Sequence, residues 1–366
     1  MTGGPTLKPW IEAIHPYVPG RSKAADGRPL VKLSANENPL GCSPRALEAL
    51  DEIESPHLYP DPDAATLREA IGRLHGIDAA RIVCGAGSGE LLQCIVQAVA
   101  GVGDEVLFSR YSFSLYPLLA HKVGATPVMA EPVDYAADVD RLLAAVTNAT
   151  RIVLLDNPNN PVGTCLPVAE VARLRAGLPD DVVLVVDQAY AEYVAPDEAR
   201  AGLELARRHD NVLVTRTFAK AYGLAGERIG WATGAPLLVD GINRLRGAFN
   251  VSSSGQRAAL AGLADQDFVD RARNHNTAQR ARFAEAMASL GNHGLRALPS
   301  EANFVLVLFE GALSARDALT ALNDGGYAVR HLPGQGLAHA LRITVGKAED
   351  MDRIAAILRQ AAERAG

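Results

Sequence analysis

The chain has 366 residues, of which 48% are hydrophobic and 21% are charged, and its formal net charge is −6. This length and apolar content are enough for one large domain and one smaller domain, each with a buried core. The negative charge, without a block of like charges, argues against a nucleic-acid-binding protein, and the lack of a long apolar stretch argues against a membrane protein.

The four cysteines form no CxxC pair and no Cys/His cluster with the spacing of metal ligands. They are therefore expected to be reduced thiols in a protein without a metal site. The first residues, MTGGPTLKPWIEAIHPY, contain no apolar core of a signal peptide, which predicts a cytoplasmic protein.

Short apolar runs rich in β-branched residues predict seven strands, at residues 81–85, 104–109, 126–130, 151–157, 181–188, 211–217 and 228–234. Several are apolar on both faces, as strands covered on both sides of a parallel sheet are. Helical patterns lie between them, and Ser43 and Asp63 are expected to cap the first two helices. Residues 35–250 are therefore predicted to form a large α/β domain with a doubly wound, mostly parallel sheet.

After residue 250 the pattern changes to one short and one long helix, followed by short strands that alternate with helices. Residues 251–366 are predicted to form a smaller α+β domain, and its last helix, from about Ala348, is amphipathic enough to cover the strands. Residues 1–34 are expected to form an N-terminal arm that joins this smaller domain.

A glycine-rich turn, CGAGSGELL at residues 84–92, follows a predicted strand and opens a predicted helix. The free N–H groups and the positive end of that helix favour a phosphate site, although a tight structural turn is an equal alternative. A dinucleotide fingerprint fits less well, because the glycines stand at positions 85, 87 and 89. The acidic residue about 20 positions further on, Asp104, also begins a strand where the fingerprint needs one that ends.

Two polar side chains follow buried strands. Asn160 lies in DNPNNPVGT, which is either a rigid turn or a ligand contact at the carboxyl edge of the sheet. Asp187 ends the apolar run in VVLVVDQAY, so its carboxylate must be paired or hydrogen-bonded near the core. It either caps the next helix or faces a cation of a ligand.

The segment TFAKAYGLAGERIG places Thr217, Lys220 and Arg228 around glycine-rich backbone. Lys220 is either a solvated surface lysine or a nucleophile toward a carbonyl, since burial and a neighbouring cation lower the pKa of an amine. Arg228 offers that neighbouring charge and a bidentate grip on an anion.

In chain order, the segments GAGSGE, NPNNPVG, DQAY and TFAKAYGLAGERIG resemble those of the fold-type I aminotransferases that depend on pyridoxal phosphate. The segments HPYVPGRS, LSANENPLG, FNVSSSGQ and ALRITVG are similar to the histidinol-phosphate aminotransferase branch. The resemblance covers the chain almost from end to end. It implies transamination between histidinol phosphate and 2-oxoglutarate in histidine biosynthesis, with pyridoxal 5′-phosphate as the cofactor.

The resemblance also implies roles for individual residues. Lys220 would be the Schiff-base lysine and the proton shuttle, and Asp187 would pair with the protonated pyridine nitrogen. The remaining cofactor contacts would hold the phosphate (Gly87, Ser88, Gly89, Thr217 and Arg228), stack on the ring (Phe113) and hydrogen-bond the phenolic oxygen (Asn160 and Tyr190). Phe113 has plain core packing as its alternative.

On the substrate side, Arg342 corresponds to the arginine that grips a carboxylate or, in this branch, a phosphate. Tyr17 and Arg330 match further substrate contacts, with a surface ion pair as the alternative for Arg330, and Asn36 would lie near the substrate entrance. Tyr59 matches a tyrosine that crosses the interface of a homodimer to the partner's cofactor phosphate, but on spacing alone it is a loop tyrosine. The expected partners are a small-molecule amino donor, a 2-oxo acid acceptor and a second copy of the chain.

The sequence departs from the family pattern at three positions. Ala219 replaces a serine that donates to the phosphate, Val162 replaces a threonine, and Gln188 replaces a glutamate. Four alternatives are open: an aromatic-amino-acid aminotransferase of the same branch, an O-phospho amino acid decarboxylase, a non-catalytic regulator that binds the cofactor, and a nucleotide-dependent dehydrogenase. The aromatic-amino-acid aminotransferase differs from the main hypothesis only in its substrate pocket.

Overall fold

A computed structural model describes residues 4–12, 14, 27–52 and 55–366. The strands in these ranges are β1 (Val31–Lys32), β2 (Ile82–Gly85), β3 (Glu105–Ser109), β4 (Thr126–Ala130), β5 (Thr150–Asp156), β6 (Val183–Asp187), β7 (Val212–Thr217), β8 (Gly230–Gly234), β9 (Leu295–Ala297), β10 (Phe304–Phe309), β11 (Tyr327–Ala328), β12 (Arg330–Leu332) and β13 (Leu337–Thr344). The α-helices are α1 (Pro9–Glu12), α2 (Pro44–Asp51), α3 (Ala65–His75), α4 (Ser88–Val99), α5 (Leu115–Val123), α6 (Val139–Ala144), α7 (Val168–Gly177), α8 (Pro196–Arg208), α9 (Pro236–Leu245), α10 (Ser253–Leu263), α11 (Gln266–Ala288), α12 (Ala315–Asp324) and α13 (Ala348–Ala365).

The larger sheet has the strand order β2-β8-β7-β6-β5-β3-β4 in the described part of the chain. Strands β3 to β7 pair in parallel, whereas β8 runs antiparallel to both β2 and β7. These are the strands predicted from the apolar runs, and their ends differ from the prediction by at most two residues. The mostly parallel sheet is therefore confirmed.

Strand β6 shows why these runs are apolar on both faces. Val183 and Val185 belong to a core that α4 and α9 share, whereas Leu184 and Val186 belong to a second core that includes Leu174 of α7. Alternate side chains of a strand point to opposite faces of a sheet. Helices therefore cover both faces, as in a doubly wound fold.

The smaller sheet is antiparallel, with the strand order β12-β13-β10-β9. Helices α11, α12 and α13 pack their apolar residues, such as Phe283, Leu322 and Ile354, into one core with it. Strand β1 pairs in parallel with β11, so the N-terminal segment joins this smaller unit. Helix α10 packs against α2 and α3. The domain boundaries at residues 34 and 250 stay predictions.

The two predicted helix caps differ in outcome. The Ser43 hydroxyl accepts a hydrogen bond from the backbone N–H of Arg45, as expected for the residue before Pro44. The prediction for Asp63 is wrong, because Asp61 accepts the N–H of Ala65 at 2.7 Å. The segment DPD offers two aspartates, and the one four residues before Ala65 reaches the helix start.

The two sheets meet where the carboxyl ends of β5, β6 and β7 face β12 and β13. The polar residues that end these strands line one cavity between the sheets, which is the usual place for a ligand in an open α/β sheet. No helix within the described ranges is both long and apolar enough to cross a membrane.

Candidate active site

The cavity between the two sheets has a volume of about 460 Å³. It contains most of the side chains that the sequence pointed to. Its polar and aromatic lining includes Lys32, Ser34, Asn36, Ser88, Phe113, Asp156, Asn160, Asp187, Tyr190, Thr217, Lys220, Arg228, Arg330, Gln335 and Arg342. Gly89 and Ala219 also line it. Of the predicted residues that the structure describes, Gly87 and Tyr59 are outside the lining, and Tyr17 lies outside the described residues.

Lys220 follows β7 and reaches the cavity as a partly buried amine. Its Nζ donates a hydrogen bond to the carbonyl oxygen of Ala35 at 3.0 Å. Burial lowers the pKa of Lys220 to about 8, and the positive charge of Arg342 acts in the same direction. Glu37 opposes this shift. Lys220 is therefore not a solvated surface lysine, and with a pKa of about 8 roughly a tenth of its amine is neutral at pH 7.

Asp187 ends β6 with only 3% of its surface exposed. Its carboxylate accepts hydrogen bonds from the hydroxyl of Thr215 at 3.0 Å and from the phenol of Tyr116 at 3.2 Å. Burial nevertheless raises the pKa of Asp187 to about 6. A buried carboxylate with neutral donors and no cation beside it favours a positively charged ligand group. Asp187 lines the cavity, which supports the interpretation that it faces a ligand cation.

Asp156 occupies the equivalent position at the end of β5, directly opposite Asp187 in the parallel register. Burial raises the pKa of Asp156 to about 7, and the charge of Asp187 adds to the effect. Its Oδ2 accepts the backbone N–H groups of Phe113 at 3.1 Å and Asn160 at 2.8 Å. This residue was not selected from the sequence, although it ends an apolar run as Asp187 does.

Asn160 and Arg342 contact each other across the cavity. A guanidinium N–H of Arg342 donates to Oδ1 of Asn160, and another donates to the carbonyl oxygen of Ser34 at 2.8 Å. The Arg342 guanidinium also lies 5.2 Å from the centroid of the Phe304 ring. Arg330 is the register partner of Arg342 on the neighbouring strand, so the two arginines enter the cavity from one side.

Asn36, which the resemblance placed near the substrate entrance, is a buried part of the cavity lining. It is 1% exposed, and its Nδ2 donates to the phenolic oxygen of Tyr190 at 2.9 Å. Its Oδ1 accepts from the hydroxyl of Thr344 at 3.1 Å. Burial raises the pKa of Tyr190 to about 12, although Arg342 and Asn36 favour the phenolate. Asn36 therefore orients Tyr190, a contact between chain segments that a local motif does not report.

The glycine-rich turn 84–92 brings the N-terminus of α4 into the cavity. Gly87 has φ +83°, and a Cβ on it would lie 2.6 Å from a guanidinium nitrogen of Arg228. Gly87 therefore lets Arg228 approach the start of α4 but does not line the cavity itself. Gly230 likewise faces this turn, because a Cβ there would lie 2.3 Å from the backbone nitrogen of Ser88. Free N–H groups, the helix dipole and Arg228 together favour an anion.

Thr217 and Ala219 limit the number of hydrogen-bond donors that an anion would find beside Arg228. The Thr217 hydroxyl donates to the carbonyl oxygen of Ile229 at 3.2 Å and accepts the N–H of Ala219 at 3.1 Å. An anion would gain the Thr217 proton only in exchange for the bond to Ile229. Ala219 lines the cavity without a hydroxyl. The other two positions that depart from the family pattern are buried outside the cavity lining. Gln188 accepts hydrogen bonds from the Arg216 guanidinium, and Val162 packs in an apolar cluster.

Two predicted aromatic residues have different surroundings. Phe113 is partly buried, lines the cavity and packs edge-on against Tyr116, with centroids 5.9 Å apart. Its ring therefore borders both the cavity and the apolar core beside it. Tyr59 is 80% exposed and stacks on Phe249 at 4.5 Å. The Tyr59 side chain therefore lies outside the cavity of its own chain.

Several residues at the site were not identified from the sequence. They are Lys32, Ser34, Tyr116, Asp156, Thr215 and Gln335. Asp156 could have been identified from the sequence, because it ends a buried apolar strand. The other five contact the site from segments whose local sequence shows nothing unusual.

The comparisons with known proteins agree with this geometry. The model of the family "Aminotransferase class I and II" matches residues 28–358. The chain belongs to this aminotransferase family.

Relatives of this aminotransferase match over nearly their whole lengths. Histidinol-phosphate aminotransferase of Erythrobacter litoralis is 66% identical, with 99% of this chain and 98% of the relative covered. The enzyme of the same name from Zymomonas mobilis is 55% identical, with 98% of each chain covered. The crystal structure of histidinol-phosphate aminotransferase from Sinorhizobium meliloti, in complex with pyridoxal 5′-phosphate, superposes with a TM-score of 0.90 at 31% identity and covers both chains fully.

Proposed function

We propose that this aminotransferase exchanges an amino group between histidinol phosphate and 2-oxoglutarate, with pyridoxal 5′-phosphate as its cofactor. The products are imidazole acetol phosphate and glutamate, and the reaction belongs to histidine biosynthesis. The observation that carries the proposal is the position of Lys220, an amine with a lowered pKa in the cavity that Asp187 also lines. The relatives named histidinol-phosphate aminotransferase support the substrate.

The side chains present fit the cofactor. Lys220 offers a reactive amine to the aldehyde of the cofactor. Asp187, a buried carboxylate with no cation beside it among the described residues, suits the protonated ring nitrogen of the cofactor. The N-terminus of α4 and Arg228 suit its phosphate. Phe113 presents an aromatic ring to the same cavity, where it can stack on the pyridine ring.

When bound, pyridoxal phosphate supplies an aldehyde that holds the amino group and a ring that accepts the electron pair of the substrate's α-carbon. Lys220 Nζ would take the proton from that α-carbon and deliver it to C4′ of the cofactor, the carbon of its aldehyde group. Its pKa of about 8 suits this task, because a general base works best with a pKa near the working pH. The carbonyl of Ala35, 3.0 Å away, orients the amine between these transfers.

Asp187 keeps a proton on the ring nitrogen, because the bonds from Thr215 and Tyr116 favour its carboxylate form. Tyr190 and Asn160 hydrogen-bond the phenolic oxygen of the ring. Asn36 orients the Tyr190 phenol at 2.9 Å, and Arg342 orients the Asn160 amide. These supports keep the donors in fixed positions before the reaction, which lowers the cost of reorganisation.

The charges of the cavity suit an anionic substrate, and the relatives named histidinol-phosphate aminotransferase identify that anion as a phosphate. Two carboxylates face the cavity, against the five cations Lys32, Lys220, Arg228, Arg330 and Arg342. Arg228 serves the cofactor phosphate at α4. We assign the phosphate of the substrate to Arg330 and Arg342, which lie on neighbouring strands of the other sheet and line the cavity.

The same proposal includes a homodimer in the cytoplasm. Tyr59 is exposed and stacked on Phe249, itself 39% exposed, which suits a residue that reaches the cofactor phosphate of a partner chain. The four cysteines are free thiols, which suits a reducing compartment.

Two measurements test the function. The purified protein should bind pyridoxal phosphate with a visible absorbance band that borohydride reduces, and Lys220→Ala should lose the band and the activity. Lys32→Ala is the matched control, because Lys32 lines the same cavity without being assigned to the aldehyde. The ratio kcat/KM should be higher for histidinol phosphate than for phenylalanine. A colourless wild-type protein would refute the cofactor, and a preference for phenylalanine would refute the substrate.

A further inference from the structure

Asp156 connects the two loops that present Phe113 and Asn160 to the cavity. It is 5% exposed, and one oxygen, Oδ2, accepts both the N–H of Phe113 at 3.1 Å and the N–H of Asn160 at 2.8 Å. The other oxygen, Oδ1, accepts from the Asn159 side chain at 3.1 Å. The side chain of Ser112 also hydrogen-bonds this carboxyl group.

These donors come from loops that follow different strands. Phe113 and Ser112 follow β3, whereas Asn159 and Asn160 follow β5. The Asp156 carboxylate therefore fixes the backbone at two positions. One is Phe113, which presents its ring to the cavity, and the other is Asn160, which presents its amide. An asparagine has one acceptor oxygen, so it can keep the two backbone bonds at Oδ2 but would place an amide donor against the Asn159 amide that now donates to Oδ1.

We propose that Asp156 is a positioning residue for amino transfer, which holds the Phe113 ring and the Asn160 amide in a fixed mutual arrangement around the cofactor. The inference rests on the proposed function, since it assumes that the cavity holds pyridoxal phosphate. Asp156 need not contact the reacting atoms, because it acts through two residues that face them.

The position of Asp156 is costly for the fold, which argues that packing alone does not account for it. The carboxyl group is buried next to Asp187, and both burial and that neighbouring charge disfavour its ionised form. The backbone bond from Asn160 and the bond from Ser112 offset part of this cost. The same bonds define the geometry of the two loops.

The test compares full-length holoenzymes of the wild type, Asp156→Ala, Asp156→Asn and the control Asn157→Ala. Asn157 is the neighbouring residue, and its side chain closes the same turn through two bonds to the backbone of Leu166 at 3.0 Å and 2.6 Å. Three quantities are measured: the visible circular dichroism of the bound cofactor, the dissociation constant of pyridoxal phosphate, and the melting temperature.

Asp156→Ala should raise the dissociation constant by about tenfold or more, because it leaves several buried donors without their acceptor. It should also diminish the visible circular dichroism, which reports how rigidly the ring is held. Asp156→Asn should fall between Asp156→Ala and the wild type, since its one acceptor oxygen can keep the two backbone bonds. Asn157→Ala should lower the melting temperature but leave the other two quantities unchanged.

The inference is overturned if Asp156→Ala keeps the cofactor affinity and the circular dichroism of the wild type and loses only thermal stability. If Asp156→Ala does not fold, Asp156→Asn with wild-type values for both quantities overturns it. An equal loss of circular dichroism in Asn157→Ala would also overturn it, because any disturbance of the turn would then have the same effect. A wild type that binds no pyridoxal phosphate would instead refute the proposed function.

Discussion

Asp156 and Asp187 lie side by side at the ends of two parallel strands, and both carboxyl groups are buried. Burial raises the pKa of Asp187 to about 6 and that of Asp156 to about 7. The folded chain therefore holds these two protons more tightly than the unfolded chain, in which an aspartate has a pKa of about 4. The two buried carboxyl groups therefore destabilise the fold most at pH values above their folded-state pKa values, where both are ionised. A cation beside Asp187 relieves that cost.

The first prediction concerns the stability of the cofactor-free protein. Between about pH 4 and pH 6 the free energy of unfolding should lose a contribution from Asp187 on the order of 2–3 kcal/mol as the pH rises, because the folded state binds more protons than the unfolded state in this window. Asp187→Asn should remove this contribution, and urea unfolding at a series of pH values measures it. Asp197→Asn, at an exposed position, should keep the slope of the wild type. Equal slopes for wild type and Asp187→Asn would refute the prediction.

The second prediction concerns the amine of Lys220. The rate at which the cofactor-free protein captures pyridoxal phosphate should rise with pH through about 8, as the amine loses its proton. Glu37 opposes the lowering of the Lys220 pKa. Glu37→Gln should therefore move the midpoint to lower pH. Stopped-flow absorbance gives the profile, and Glu48→Gln, at an exposed position on α2, is the control. A midpoint that moves upward would contradict the assignment.

The third prediction separates two glycines of the same motif. Gly230→Ala places a Cβ 2.3 Å from the Ser88 nitrogen, whereas Gly226→Ala meets nothing within 4 Å. Gly230→Ala should lower the free energy of unfolding by about 1–3 kcal/mol, since overpacking forces the backbone to shift. It should also weaken cofactor binding by displacing the N-terminus of α4. Gly226→Ala should resemble the wild type in urea unfolding and in cofactor titration, and similar losses in both variants would argue against this packing.

The fourth prediction concerns the arginine in β13. Arg342→Gln removes the bonds to Asn160 and Ser34 and one cation of the cavity. The value of kcat/KM for histidinol phosphate should fall by about tenfold to a hundredfold, since a charged hydrogen bond contributes about 1.5–3 kcal/mol. Arg359→Gln, on α13, is a control at an arginine outside the lining. An unchanged kcat/KM in Arg342→Gln would mean that the substrate anion binds elsewhere.

The fifth prediction concerns Tyr59. If Tyr59 serves the partner's cofactor, a mixture of Tyr59→Ala and Lys220→Ala chains forms hybrid dimers in which one of the two sites has both residues. Unfolding and refolding the two variants together should therefore restore activity above the sum of the separate preparations. No gain on mixing would show that Tyr59 does not act across the interface, and wild type mixed with Lys220→Ala gives the activity that survives unfolding and refolding.

The sequence predicts the strands of the large sheet well, because burial on both faces requires apolar residues at every position. The strand ends are predicted less precisely, since the predicted strand 181–188 is shorter in the structure, at Val183–Asp187. Asp63 failed as a cap because the side chain of Asp61, not that of Asp63, accepts the N–H of Ala65, and composition does not distinguish the two aspartates.

The site is predictable where a side chain lies next to a recognisable backbone pattern. Lys220 and Asp187 follow buried strands, and Arg228 follows glycines. Asn36 was misplaced because its partners, Tyr190 and Thr344, are distant in the sequence. Tyr116 and Thr215 were missed for the same reason, since no local feature indicates which carboxylate they contact.

The bonds of Asn36 and Ser34 to β13 have a consequence for how the protein is made. Asn36 bonds to Thr344 and Ser34 bonds to Arg342, and each contact joins residues 308 positions apart. Contacts of such separation form late, because a long loop must close before they give any stabilisation. A chain still attached to the ribosome therefore lacks an orienting partner for Tyr190 and Asn160 until β13 has emerged. Stable capture of the cofactor should follow synthesis of nearly the whole chain.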